Sequence, residues 1–90
     1  MGYSDSGLQT AGVPKSAFTH KYQLFRSLLT DARLRAGLTQ ASLAKKLGRP
    51  QSFVSKFENG ERRLDVIEFL DVARAVRLDP MRVVDELNRK

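Results

Sequence analysis

The sequence predicts an all-α domain, five short helices around one core, preceded by a flexible N-terminal arm. Three observations predict it. Apolar residues recur at three- and four-residue spacing from Thr19 onward, and no alternating strand pattern or internal repeat is visible. Glycines and cap residues divide that pattern into short segments. The chain has 90 residues with 41% hydrophobic content, enough for one domain with a modest core.

Residues 1–18, "MGYSDSGLQTAGVPKSAF", hold three of the six glycines and lack a helical period, so they read as a flexible arm. Met1 to Ser6 formally fit an N-myristoylation pattern, but a basic chain of this kind offers no second anchor. Residues 19–90 then form the domain. Phe25, Leu28, Leu29 and Ala32 mark the inner face of a first helix, ended by Gly37. Thr39 caps a second helix, over about 39–47, with Leu43, Ala44 and Leu47 inward and Gly48 as its stop. A third helix runs over about 50–59, with Phe53, Val54 and Phe57 as its apolar stripe and Gly60 after it. Asp65 and Glu68 form a capping box for a fourth helix, whose inner face is expected at Ile67, Leu70, Val72 or Ala73, and Val76. Asp79-Pro80 starts a fifth, with Met81, Val84 and Leu87 inward.

Net charge is +6, which points to an anionic partner. Its distribution sharpens the point. Residues 39–63 carry six Lys/Arg against two acids, whereas residues 64–90 carry five against six. The excess is densest over the second and third helices. No cysteine is present, so disulfides and thiolate metal sites are excluded. The single histidine, His20, makes no metal site on its own, and no cofactor is expected. No P-loop, nucleophile elbow or paired-carboxylate motif appears, so an enzyme is not expected. No apolar run approaches a membrane span and no secretory leader is visible, so a cytoplasmic location is the expectation.

The informative stretch is "LTQASLAKKLGRPQSFVSKFENGERR". Two short helices joined through Gly48 must cross steeply. Ala44 is small where they approach, and Gly48 accepts a positive φ. That is a helix-turn-helix, whose second helix fits the major groove of DNA. The motifs "GLTQ" at 37–40, "LA" at 43–44, "LG" at 47–48, Gln51 and "ENG" at 58–60 resemble the phage repressor and Cro-type, XRE-like, helix-turn-helix family. The resemblance spans roughly residues 22–87. It implies a lambda-repressor-like fold and binding of double-stranded DNA.

The polar residues acquire roles on that footing. Gln51 can bond adenine with its donor and acceptor together, and Ser52 can reach a base edge or a phosphate. Lys56 points broadly the same way, toward guanine acceptors or a phosphate, and Ser55 lies on the flank. Thr39 and Gln40 sit where the free N–H groups of a helix start favour a phosphate. The family resemblance further implies that Gln40 steadies Gln51. Asn59, Arg62, Arg63 and, from the turn, Arg49 are expected phosphate contacts, which supply affinity more than sequence information. Lys45 and Lys46 are expected to be solvated. Glu58 would repel a phosphate. The resemblance instead implies a partly buried ion pair with Arg33, tying the first helix to the end of the third. Pro50 departs from the family pattern, which places a capping Ser or Thr there, so the aim of Gln51 depends on where the helix starts.

Two functions of different class follow. The first is a sequence-specific, repressor-like transcriptional regulator acting as a homodimer on a near-palindromic site. Its dimer surface is expected on the C-terminal helices, where Val66, Phe69, Met81 and Val83 are apolar residues beyond the needs of the core. The alternative is an antitoxin-type interaction module that binds DNA but chiefly masks a partner protein, with the arm folding on that partner. A domain with a vestigial helix-turn-helix would show only nonspecific affinity for duplexes.

Overall fold

The computed structural model describes residues 19–90; the arm and its myristoylation-like motif lie outside the described residues. Five helices follow one another: α1 (His20–Arg35), α2 (Gln40–Leu47), α3 (Gln51–Asn59), α4 (Val66–Ala75) and α5 (Pro80–Asn88). No strand occurs among the described residues, and no helix there is long and apolar enough to cross a membrane.

Side-chain caps start four of the helices. The Thr19 hydroxyl accepts from the Tyr22 amide at 3.1 Å. Thr39 and Ser42 exchange a capping box, as do Asp65 and Glu68. Asp79 accepts from the Met81 amide ahead of Pro80, which lacks an amide N–H to satisfy. Pro50 stands in the cap position of α3 without a side-chain cap bond, which makes Gln51 the first helical residue. Each of the first three interhelical turns places a glycine at positive φ: Gly37, Gly48 and Gly60. The α4–α5 turn instead places Arg77 there, at φ 60°.

Gly48 tests the turn at the heart of the motif. Its φ is 69°, and an added Cβ would meet nothing within 4 Å. Gly48→Ala should therefore cost only backbone strain, ~1–2 kcal/mol by chemical denaturation, without disturbing the packing of α2 on α3.

One core joins all five helices. Leu29, Leu43, Val54, Phe57 and Val72 are almost wholly enclosed. Phe25 and Leu28 pack on them from α1, and Leu47 from α2, each half-buried. The inner faces of α1, α2 and α3 thus use the residues the spacing predicts. Those of α4 and α5 do not follow it throughout. On α4 the buried stripe is Phe69, Val72, Ala73 and Val76, while Ile67 and Leu70 are exposed. On α5 it is Val83, with Leu87 packed behind it, while Met81 and Val84 are exposed. The side that α4 turns inward is the one that packs on α2 and sets Phe69 edge-on to the Phe25 ring at 5.3 Å, and α5 closes over the same core through Val83.

Candidate nucleic-acid interface

The α3 helix has two faces of opposite character. Phe53, Val54 and Phe57 are buried, and the rings of Phe53 and Phe57 meet edge-on at 5.5 Å. Gln51, Ser52, Lys56 and Asn59 are exposed. Ser52 and Lys56, four residues apart, lie one above the other on that outer face. Ser55 is half-buried on the flank, and its hydroxyl donates to the Ser52 carbonyl at 3.3 Å. Gln51 and Lys56 make no side-chain hydrogen bond or ion pair among the described residues.

Two polar clusters hold α3 in place. The first surrounds Glu58. The Arg33 guanidinium donates to it twice, Nε to Oε2 at 2.7 Å and one terminal nitrogen to Oε1 at 3.0 Å. Its other terminal nitrogen donates to the Leu38 carbonyl at 2.8 Å. Both side chains are nearly enclosed, 10% and 6% exposed. The Arg26 guanidinium, two turns back along α1, donates to the Glu58 carbonyl at 2.8 Å. Gln40 donates its side-chain amide to Glu58 Oε1 at 2.9 Å. The last turn of α3 is therefore tied to α1 twice and to the first residue of α2 once.

The second cluster surrounds Glu68 on α4. Arg62 donates to its two oxygens at 2.9 and 2.8 Å, and Arg49 approaches one of them at 3.4 Å. Both guanidiniums also lie over the Phe53 ring, 4.4 Å for Arg49 and 4.8 Å for Arg62. The turn before α3 and the loop after it are thus clamped to the same ring and the same carboxylate.

That clamp leaves a titration signature. The Arg62 hydrogen bonds, followed by the Asp65 backbone N–H, hold the Glu68 carboxyl down from 4.5 to about 2. A carboxylate with a depressed native pKa stabilises the fold above its unfolded value and loses that contribution as pH falls. Here the loss runs from 4.5 down to about 2. The wild-type melting temperature should fall more steeply across that window than that of Glu68→Gln.

The helix-turn-helix domain family matches residues 24–87. An XRE-family like protein from Pseudomonas syringae pv. tomato str. DC3000 is 55% identical, over 77% of this chain and 84% of that one, with a TM-score of 0.73. The chain belongs to the XRE-like helix-turn-helix family. A point mutant of the restriction-modification controller protein C.Esp1396I is 20% identical over 79% of this chain and 90% of that one, with a TM-score of 0.68, a likeness of fold. No curated protein sequence matches the chain. The fold of this XRE-like domain is that of DNA-binding regulators.

Within this XRE-like domain several of the polar side chains also make contacts of their own. The Gln40 amide reaches Glu58 rather than Gln51. Thr39 spends its hydroxyl on the capping box with Ser42. Arg62 is engaged at both terminal nitrogens, one of which also donates to the Arg63 carbonyl at 3.0 Å. The Arg63 guanidinium lies 5.2 Å from the Tyr22 ring centroid. Sequence reasoning missed Arg26 and Glu68 as bracing residues. Arg26 and Arg33 are seven apart on α1, a spacing that puts them on one side of a helix and signals a shared target.

Proposed function

We propose that this domain is a sequence-specific, repressor-like regulator that binds double-stranded DNA as a homodimer, with α3 in the major groove. One observation carries the reading: the amide of Gln51, the hydroxyl of Ser52 and the ammonium of Lys56 are exposed together on a helix whose other face is locked into the core. In this reading Gln51, Ser52 and Lys56 read base edges, with Ser55 at their margin. Asn59, Arg63 and the first N–H groups of α2 at Gln40, beside Thr39, take phosphates. Arg49 and Arg62 brace the two ends of α3 through Glu68 and present their remaining N–H edges to the backbone.

A single recognition helix reads few base pairs, so two copies on a near-palindrome supply the rest. Phe69 and Val83 belong to the core and drop out of the dimer surface expected from the sequence. Val66, Ile67 and Leu70 on α4, with Met81 and Val84 on α5, are the exposed apolar residues that remain. Val66 and Val84 line one groove. Val84→Asp should halve the mass seen by light scattering, remove the concentration dependence of the melting temperature and weaken operator binding. An unchanged mass would remove this surface from the account. The same apolar patch suits the antitoxin-type alternative, in which a partner protein covers it.

A mobility-shift titration in salt tests the function itself. The reading expects one duplex sequence to be retained at salt concentrations that release all others. Equal release of every sequence would refute it.

A further inference from the structure

A second concentration of positive charge lies away from α3. Arg35, Lys46 and Arg77 line an open groove of about 520 Å³ between the end of α1, α2 and the α4–α5 turn. No acidic residue is among its described lining, and its floor is apolar, with Leu38 and Leu78 packed on the core. The side chains of Arg35, Lys46 and Arg77 make no hydrogen bond or ion pair among the described residues. Arg35 and Arg77 also line the adjoining groove beside Arg82. Of the acids there, Asp79 caps α5, and Asp85 and Glu86 pair with Arg89 and Lys90.

This groove lies apart from the face that carries α3. No residue of α3 lines it. Arg35 lies about 160° around α1 from Arg33, the residue that faces Glu58, and Lys46 about 120° around α2 from Gln40. Arg77 adds a third observation. It occupies the left-handed conformation that the other three turns give to glycine. An arginine there carries backbone strain that a glycine would not. Its side chain is exposed, so core packing does not account for it.

We propose that this groove docks an acidic, amphipathic segment of a partner protein, its carboxylates on Arg35, Lys46 and Arg77 and its apolar side over Leu38 and Leu78. The arginines match carboxylates geometrically as well as in charge. The apolar floor is what a duplex backbone would leave unused.

The test is an amide NMR titration of the full chain with a synthetic helical peptide carrying glutamates on one side and leucines on the other. The wild type should show shifts at Leu38, Lys46 and Leu78 and none on α3. Arg35→Gln combined with Arg77→Gly should weaken the peptide about tenfold or more while duplex affinity changes little. Arg77→Gly alone should melt at or above the wild-type temperature and still weaken the peptide, which separates docking from folding. Shifts centred on α3, unchanged peptide affinity in the double variant, or a parallel loss of duplex affinity would each overturn the proposal.

Discussion

Replacing Glu58 with alanine is expected to destabilise the domain by ~3–5 kcal/mol, because it strands a buried guanidinium without its carboxylate. Arg33 would keep the Leu38 carbonyl but lose both oxygens of Glu58. Gln40 would lose the same acceptor. Arg33→Ala should cost a similar amount, since it leaves the enclosed Glu58 charge with Gln40 as its remaining side-chain donor. The double variant should cost clearly less than the sum, because neither charge is then left uncompensated. Denaturant unfolding of the four proteins measures this. A Glu58→Ala cost below about 1 kcal/mol would mean the pair behaves like an exposed one and does not anchor α3. The Arg26 bond to the Glu58 carbonyl is independent of the Glu58 side chain, so the variant keeps one tie between α1 and α3.

The second large effect concerns recognition. Gln51→Ala should remove ~1–3 kcal/mol of discrimination at one base position in each half-site, the worth of a bidentate base contact. Its stability should stay near wild type, because Gln51 is exposed and makes no side-chain bond. Asn59→Ala should behave in the opposite way. It should weaken every duplex alike and leave the preferred sequence unchanged, as loss of a phosphate contact does. Titrating both variants against the selected site and its single-base changes separates the roles. Equal losses on every duplex for Gln51→Ala would move that side chain from base reading to backbone contact.

The parts of the fold that the sequence states plainly are those with local chemistry. Thr39, Asp65 and Asp79-Pro80 announce helix starts, and Gly37, Gly48 and Gly60 announce stops, because each solves a backbone problem within its own turn. The faces of α1 to α3 are legible because polar residues interrupt their apolar stripes. The α4 helix has apolar residues on most of its circumference, so periodicity alone does not choose a face. That choice depends on partners distant in sequence, among them Phe25, forty-four residues from Phe69, and the packing face of α2. The site divides the same way. The exposed set on α3 follows from helical spacing. Which acceptor Gln40 reaches, and whether Arg62 is spent on Glu68, depends on distances between elements that no local pattern records. Charge counting sees six cations over residues 39–63 but not that two of them close on one carboxylate.

In the proposed complex the outer face of α3 meets base edges in the major groove. Interference by 7-deazapurines tests it most directly, because that substitution deletes a major-groove acceptor and leaves the minor groove and the backbone intact. Binding to a selected duplex should fail when single purines are replaced in two segments one helical turn apart, ~34–36 Å between centres. Binding that survives replacement of every purine in the site would contradict it.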